Sequence, residues 1–481
     1  MEERYIATAD LGTSKIAVGI ARVVDRDIQV IYYKETPSDG IRYSSVFNPK
    51  KASGPLMEAL KDAENELGIK LSQLVIGLPR YNVRQESRQS RIERTDPQSC
   101  ITEEEVLALK DMALDASPLS EDGKEEIFGA VVQSFSADDL INACEDDIIG
   151  IPSDSLEGNF KVFVGSRRAV GNIDILMKGI GIQSVFRYFL PDVTAKAVLS
   201  PQEMDNGVAL IDLGAGVTSV TIYHHSILRF YSSIPFGAAN VTLDIKHECG
   251  FQESLAENIK LAYGACMPEK LLTMGEKIIQ INDDENGTSE QLPVKYLSEI
   301  ITAREREIIN AMLFEIQRSG YADRLMSGVV VTGGGANLTN LTNLIKDMSG
   351  YNVRMGFPRC KRLSCEGIDG ICETGAAATV GMIVSAAGNK YINCTLEKKA
   401  EDTYEAKQDG TLFGEVNNEK EKRKKNRLLK KKEEKKSVEL EKAPAPAPTP
   451  AKEVEPEEKK AQGKARDIFD STLGWLFDDM K

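Results

Sequence analysis

The most informative stretch of this sequence is Leu210-Ile211-Asp212-Leu213-Gly214-Ala215-Gly216-Val217-Thr218. The apolar run at 208–211 predicts a buried strand, and apolar alternation at Val220 and Ile222 predicts a second strand after the turn. Glycines in the turn leave its backbone amides open to a phosphate, because no Cβ blocks the approach. The carboxylate of Asp212 suits a magnesium ion or its bound waters, since magnesium prefers oxygen ligands.

A second copy of this pattern lies near the amino terminus. Residues 9–20 read ADLGTSKIAVGI and residues 211–222 read IDLGAGVTSVTI, so Asp-Leu-Gly recurs at Asp10, 202 positions (212 − 10) before Asp212. A third glycine turn, Gly-Gly-Gly at 333–335, follows another apolar strand. Any one of these turns is also typical of an ordinary tight hairpin. The three in this order predict a nucleotide clamp between two related lobes.

The three turns resemble those of the actin, Hsp70 and sugar-kinase superfamily, and the small residues at 370–378 (GICETGAAA) resemble its second lobe-connecting helix. Within that superfamily, residues 4–390 are most similar to the FtsA family of bacterial cell-division proteins. The resemblance implies an α/β fold of the actin-like, two-lobe (RNase H-like) ATPase type. It also implies an inserted α+β subdomain, a disordered carboxy-terminal linker and a terminal amphipathic helix.

The resemblance divides the chain into a first lobe, a second lobe and their subdomains. The expected boundaries are 1–82, 168–200 and 369–392 for the first lobe (1A), 83–167 for the inserted subdomain (1C), 201–235 and 321–368 for the second lobe (2A), 236–320 for its subdomain (2B), 393–464 for the linker, and 465–481 for the terminal helix. An unrelated insertion at 83–167 is the alternative.

ATP and Mg²⁺ are the ligands that the resemblance implies. Asp10 and Asp212 would hold magnesium through waters. The residues expected to surround the phosphates are Gly12, Thr13, Ser14, Lys15, Gly214, Ala215, Gly216, Val217 and Thr218. Those expected to contact the nucleoside are Glu257, Lys260, Gly333, Gly334, Gly335 and Asn337. The alternatives are a plain surface lysine at 15 and an exposed intrahelix ion pair between residues 257 and 260.

Catalysis is predicted to be weak. Leu190 occupies the position at which chaperone-like relatives carry a glutamate before the proline, and Asp192 is the candidate to orient the attacking water. Ala215, Val217 and Ser219 also differ from residues that relatives commonly carry. Hydrolysis needs an oriented water as well as bound phosphates. We therefore expect ATP binding with at most weak ATPase activity.

The second-lobe subdomain is the predicted partner site. Residues 276–297 are expected to form a polar surface loop, followed by a helix at 296–318. This helix is predicted to turn Arg304, Glu305 and Arg306 outward. The resemblance implies that the subdomain binds the carboxy-terminal tail peptide of FtsZ, with Arg304 as the candidate contact. A merely solvated face is the alternative.

Composition limits the classes of function. The net charge is −14, and residues 397–481 hold 21 Lys/Arg against 20 Asp/Glu, so residues 1–396 carry −15. An acidic body argues against nonspecific nucleic-acid binding. Eight cysteines include no C-x-x-C pair; the closest three are Cys360, Cys365 and Cys372. Without a nearby histidine, they are interpreted as reduced thiols rather than a zinc site.

The carboxy-terminal region changes composition twice. Residues 420–436 hold eleven Lys/Arg against three acids, and alternating Ala-Pro at 443–450 predicts a semi-extended spacer. Residues 465–481 then predict an amphipathic helix whose apolar half is formed by Ile468, Phe469, Leu473, Trp475, Leu476, Phe477 and Met480. A partner must cover such a face; the resemblance implies the membrane interface, and a protein partner is the alternative.

The function implied by the resemblance is a peripheral protein at the cytoplasmic face of the cell membrane, at the division site. It would anchor the FtsZ ring to membrane lipids, polymerise with itself, and recruit later division proteins through subdomain 1C. Two alternatives share the clamp: an actin-like ATP-binding protein of pilus assembly, and a small-molecule kinase.

Overall fold

The computed structural model describes residues 3–114, 123–283, 288–360 and 363–395. The predicted linker from residue 396 onward and the predicted helix 465–481 lie outside the described residues. Within the described ranges, no helix is long and apolar enough to cross a bilayer.

The described strands are β1 (Glu3–Leu11), β2 (Lys15–Val24), β3 (Asp27–Pro37), β4 (Ile41–Arg42), β5 (Ser45–Val46), β6 (Gln73–Gly77), β7 (Arg84–Glu93), β8 (Glu125–Ala137), β9 (Leu140–Ala143), β10 (Ser155–Ser166), β11 (Ser184–Tyr188), β12 (Val208–Leu213), β13 (Thr218–His224), β14 (Ile227–Ile234), β15 (Ile278–Asp283), β16 (Thr288–Pro293), β17 (Val329–Thr332) and β18 (Val353–Met355). The described helices are α1 (Pro49–Leu67), α2 (Glu103–Leu114), α3 (Glu145–Ile148), α4 (Arg167–Gly179), α5 (Leu190–Val198), α6 (Pro201–Asn206), α7 (Ala238–Cys249), α8 (Glu253–Tyr263), α9 (Val294–Arg318), α10 (Leu341–Ser349) and α11 (Ala377–Ala387).

Two five-stranded sheets share one topology. In the first lobe, the β1–β2–β3 antiparallel meander continues on the other side of β1 with two parallel strands, giving the order β11-β6-β1-β2-β3. In the second lobe, the β12–β13–β14 meander continues with parallel β17 and β18, giving the order β14-β13-β12-β17-β18. The Asp-Leu-Gly repeats therefore occupy equivalent hairpins, as the two-lobe α/β prediction requires.

The central strands of both sheets are apolar because helices or strands cover both of their faces. Every residue of β12 and β17 is buried. In β1, six consecutive residues are buried, ending at the hairpin that carries the first glycine turn. The sheets thus hold both turns at fixed ends of rigid strands.

The spacing of apolar residues predicts an amphipathic helix over 55–68, but helix α1 begins earlier. The Asn48 side chain accepts the Lys51 N–H and caps a helix that begins at Pro49. Proline is favoured in the first turn, where its missing N–H costs no hydrogen bond. The apolar periodicity located the buried face, and the cap decided the boundary.

The insertion between β6 and α4 forms a separate four-stranded antiparallel sheet of order β7-β10-β8-β9 with helices α2 and α3. Its own core contains Phe135 and Phe160, whose rings meet edge to face at 6.5 Å. The sheet also contacts the second lobe, where Gln133 Nε2 donates to the Leu228 carbonyl at 3.0 Å. It is the α+β subdomain that the fold prediction included.

Two expectations for the second-lobe subdomain were wrong. The polar segment after residue 276 forms a hairpin, with β15 and β16 paired antiparallel, and α9 begins directly after it. Glu305, expected to point outward, is 0% exposed. Helix α9 is covered on more than one side, by β13 and by α7, so a single apolar stripe does not describe its buried surface.

The chain crosses between the lobes twice. It leaves the first lobe through α5 and α6 to reach β12, and returns from β18 through residues 356–373 into α11. Helices α5 and α11 pack so closely that only glycine fits at position 381. A Cβ on Gly381 would lie 2.3 Å from the Val193 carbonyl oxygen. The small residues of the second connecting helix serve this contact, as expected.

Candidate functional site

A cavity of about 960 Å³ lies between the two lobes. It is lined by the predicted cofactor residues Asp10, Gly12, Thr13, Ser14, Lys15, Asp212, Gly214, Ala215, Gly216, Val217, Glu257, Lys260, Gly333, Gly334, Gly335 and Asn337. Thr218 is the predicted residue that does not line it: its side chain is buried and donates to the Phe236 carbonyl at 2.8 Å. Its role is to hold the hairpin.

The two hairpin turns approach each other across the cavity. A Cβ on Gly216 would lie 2.9 Å from Thr13 Oγ1, so the second turn needs glycine where it faces the first. Thr13 Oγ1 also accepts the Ser44 N–H at 3.1 Å, which fixes the threonine side chain. Backbone amides of both turns can therefore surround one group of phosphate size.

Three charged side chains form the deep end of the cavity. Asp10 and Asp212 are 8% and 7% exposed, and Arg80, which follows β6, contacts both. Arg80 Nη1 donates to Asp212 Oδ2, while Arg80 Nη2 lies 3.9 Å from Asp10 Oδ2. Burial raises the pKa of Asp10, the nearby Asp212 raises it further, and the Arg80 guanidinium opposes both.

This donor set fits a magnesium ion. Two buried carboxylates from different lobes supply the hard oxygen atoms that Mg²⁺ prefers, and the cavity leaves room for its waters. Arg80 was not among the predicted residues. No local sequence pattern selects it: the structure places it here because it follows β6, which is parallel to β1, and parallel strands end at the same sheet edge.

The third glycine turn lies against Asp212. Gly333 has φ of 90°, and a Cβ there would lie 2.6 Å from Asp212 Oδ1 and 2.5 Å from the Leu213 carbonyl oxygen. Gly334 has open space at the same position. The turn is tied to the start of the second connecting helix, since Thr374 Oγ1 donates to Asn337 Oδ1 at 3.0 Å. Only the first of these two glycines is required by the fold.

Lys260 is not part of an exposed ion pair. Its side chain is 7% exposed, and its Nζ donates to Glu257 Oε2 at 2.7 Å, to Thr242 Oγ1 at 2.8 Å and to the Ala238 carbonyl at 3.0 Å. All three ammonium donors are thus used, one within α8 and two that join α8 to α7. Glu257 is 42% exposed and also lines the cavity.

Lys15 points across the first turn. Its Nζ forms an ion pair with Glu35, a cavity residue that was not among those predicted. A Cβ on Gly375 would lie 2.8 Å from Lys15 Nζ, so the amine also reaches the start of the second connecting helix. It is a paired, partly buried cation at the cavity wall rather than a plain surface lysine.

Two predicted residues lie elsewhere. Asp192 is not among the residues that line the cavity; it accepts the Tyr223 hydroxyl and the Lys196 ammonium, each at 2.6 Å. Arg304 donates from Nε and Nη2 to the two oxygens of Asp244 at 2.6 and 2.9 Å, which joins α9 to α7. Each side chain therefore already has partners within the chain.

Comparison with known proteins agrees with this arrangement. A family model described as "Cell division protein FtsA" matches residues 209–381. Over 363 residues the sequence is 30% identical to the cell division protein FtsA of Neisseria meningitidis serogroup B, covering 74% of this chain and 85% of that protein. It is 29% identical over 362 residues to the cell division protein FtsA of Borreliella burgdorferi, covering 74% and 86%.

Among solved structures, the PilM–PilN type IV pilus biogenesis complex matches with a TM-score of 0.54. That match covers 80% of this chain and 98% of the other at 15% identity, so it concerns the fold alone and does not favour the pilus-assembly alternative. The predicted actin-like ATPase fold is confirmed. The family match and the sequence identity over most of both chains decide the assignment: this chain belongs to the FtsA family of cell division proteins.

Proposed function

We propose that this chain binds ATP with Mg²⁺ between its lobes and tethers the FtsZ ring to the cytoplasmic membrane. It polymerises and recruits later division proteins from the cytoplasmic face of the division site. ATP binding is supported by one observation: two equivalent hairpin turns, one from each lobe, line the same cavity. Membership of a cell-division family supports the cellular role.

Different cavity residues are proposed to bind the phosphates, the nucleoside and the magnesium ion. Amides of the two turns donate hydrogen bonds to the phosphates, and the glycines at 333–335 leave a surface for the nucleoside. Magnesium, when bound, neutralises phosphate charge and orients the phosphate oxygens. Asp10 and Asp212 would hold its waters, and Arg80 partly offsets their combined charge.

Hydrolysis is proposed to be weak. A water-orienting side chain must reach the terminal phosphate, and the carboxylate of Asp192 is already shared by Tyr223 and Lys196. The nucleotide then acts mainly by holding the lobes together, because the two turns belong to different lobes. Lobe closure would set the contacts of the polymer.

The partner surface is proposed to lie on α9, where Arg304 would receive an acidic tail peptide of FtsZ. Its guanidinium is 23% exposed and forms a fork with Asp244, so a peptide carboxylate must share or replace that pair. R304A should weaken binding of such a peptide by about 2 kcal/mol. R306A is the matched control, because Arg306 is the exposed neighbour on the same helix.

The membrane contact is proposed for residues 465–481. Each large apolar side chain that becomes fully buried contributes about 1.5–3 kcal/mol, less at an interface, which outweighs weak repulsion between a segment of net charge −2 and anionic lipid. The basic block at 420–436 adds roughly 1 kcal/mol per Lys or Arg near the lipid surface.

Two measurements test the proposal separately. ATP with Mg²⁺ should raise the unfolding temperature of the full chain but not of D212N, whereas D205N, an exposed change in the same lobe, should respond like the wild type. Trp475, the one tryptophan of the sequence, should shift its emission to the blue when vesicles are added. An equal ATP response in D212N would refute the nucleotide site. Undiminished vesicle binding by a chain ending at residue 464, which keeps the basic block, would refute the membrane helix.

A further inference from the structure

The segment that returns the chain from the second lobe to the first carries three cysteines. Their spacing, C-x₄-C-x₆-C, matches no common zinc motif. The fold nevertheless brings the Sγ atoms of Cys360, Cys365 and Cys372 within 4.8 Å of one another. Cys365 Sγ and Cys372 Sγ are 3.5 Å apart. Thiolates that share a tetrahedral zinc ion at about 2.3 Å each lie roughly 3.8 Å apart, so the three sulfurs are already at ligand spacing.

Backbone hydrogen bonds to the first lobe hold this arrangement. The Val30 N–H donates to the Ser364 carbonyl at 2.8 Å, and the Ser364 N–H donates to the Ile28 carbonyl at 2.9 Å. Arg359 N–H donates to the Ala197 carbonyl at 2.9 Å, at the end of α5. The sulfurs therefore converge because the backbone on either side of them is fixed, rather than through three independent side-chain rotations.

The site is accessible and chemically selective. Cys360 and Cys365 are half-buried, while Cys372 is exposed, so a cation can enter from solvent and keep one position for water or another ligand. Three sulfur donors are soft ligands, which select zinc-class cations over Mg²⁺ and Ca²⁺. This chemistry is distinct from that of the oxygen-lined end of the cavity.

We propose that Cys360, Cys365 and Cys372 form a three-thiolate site for a zinc-class divalent cation, with a fourth position open to solvent. The cation would close the returning segment into a loop beside the nucleotide cavity. Cys372 is two residues before Thr374, whose carbonyl accepts the Gly333 N–H at 3.3 Å. Metal binding would thus restrain the segment that returns the chain to the first lobe, at the point where it contacts the third glycine turn. The proposal does not depend on the proposed ATP site.

The test uses the full chain, reduced and freed of metal with a chelator. Titration with Co²⁺ should give the intense visible absorption and the sulfur-to-cobalt charge-transfer band of tetrahedral thiolate coordination, saturating at one cobalt per chain. Zn²⁺ should then abolish both bands. C372S should weaken cobalt binding by at least about 100-fold, more than loss of an outer-shell partner typically does.

Cys100, an exposed cysteine of the inserted subdomain, supplies the matched control, and C100S should bind cobalt like the wild type. Cys372 is exposed, so its substitution should leave the fold intact, which far-ultraviolet circular dichroism checks. Absence of the tetrahedral spectrum, or equal cobalt affinity in C372S, would overturn the proposal. So would a Cys365–Cys372 disulfide found by peptide mass mapping in a chain that takes up no metal, since that outcome identifies a redox pair.

Discussion

Arg80 of the first lobe donates a hydrogen bond to Asp212 of the second lobe, 132 positions further along the chain. Both side chains are largely buried. The same guanidinium lies near Asp10, so one cation from the first lobe serves the carboxylates of both Asp-Leu-Gly repeats. The guanidinium therefore offsets one of the two carboxylate charges at this end of the cavity before any ligand enters.

Replacing Arg80 with Met should destabilise the protein by about 3 kcal/mol, because removing one partner leaves buried carboxylates without their cation. Magnesium should recover part of this loss, since it would supply the missing positive charge. Urea unfolding of R80M with and without Mg²⁺ measures both effects. R22M is the control: Arg22 is in an exposed pair with Glu3, and its loss should cost less than about 1 kcal/mol. If Mg²⁺ stabilises R80M no more than the wild type, the carboxylates do not form a magnesium site.

The third glycine turn offers a pair of neighbouring substitutions. G333A should lower the free energy of unfolding by more than about 1 kcal/mol, because its φ of 90° disfavours alanine and its Cβ would meet the Leu213 carbonyl oxygen. G334A should change stability by less than about 0.5 kcal/mol, because a Cβ there has open space. Thermal unfolding without nucleotide compares the two. Weaker ATP binding by the stably folded G334A would support a nucleoside at this turn, and unchanged binding would argue against it.

Glu305 should make stability depend on pH. Burial raises its pKa to about 8, although Lys260 and Arg304 oppose the shift, and neither carboxylate oxygen has a hydrogen-bond partner among the described residues. Between pH 4.5 and about 8 the unfolded state loses this proton while the native state keeps it. The associated stability is therefore complete below pH 4.5 and falls as pH rises through the native pKa, by up to about 1.4 kcal/mol per pH unit.

E305Q should remove this dependence, because glutamine is neutral at every pH in the window. Urea unfolding at several pH values should show the stability of E305Q relative to the wild type increasing up to about pH 8 and then levelling off. E307Q is the control, since Glu307 is 54% exposed and pairs with Arg304 at the surface. Parallel stability profiles for E305Q and the wild type would show that Glu305 titrates normally.

Asp192 tests whether this chain retains a catalytic carboxylate. D192A should destabilise the protein by about 1–3 kcal/mol, because the buried Tyr223 hydroxyl loses its acceptor. Y223F should lower the free energy of unfolding by less. It removes the hydroxyl donor, and the partly exposed Asp192 carboxylate keeps its ion pair with Lys196. ATP affinity, measured by calorimetry, should stay within about twofold of the wild type in both. Loss of ATP turnover in D192A at unchanged affinity, with Y223F still active, would restore the catalytic assignment.

The sequence alone determined the two-lobe plan and most of the cavity. Repeated Asp-Leu-Gly turns and the Gly333 turn are local patterns, because a tight turn beside a buried strand limits which residues fit. The periodicity of apolar residues, also a local pattern, predicted the amphipathic helices. Their boundaries depended on caps such as Asn48. Family membership followed from these segments because they extend over most of the chain.

Only the tertiary structure decided which charges meet. Arg80, Lys260 and Glu305 are all polar residues that the sequence pattern would place at the surface, yet each is buried by elements distant in the chain. The three cysteines likewise have no motif spacing, and they converge because the returning segment bonds to β3 and α5. Periodicity reports the faces of one helix or strand; the partner of a buried charge depends on packing between elements, which no local pattern encodes.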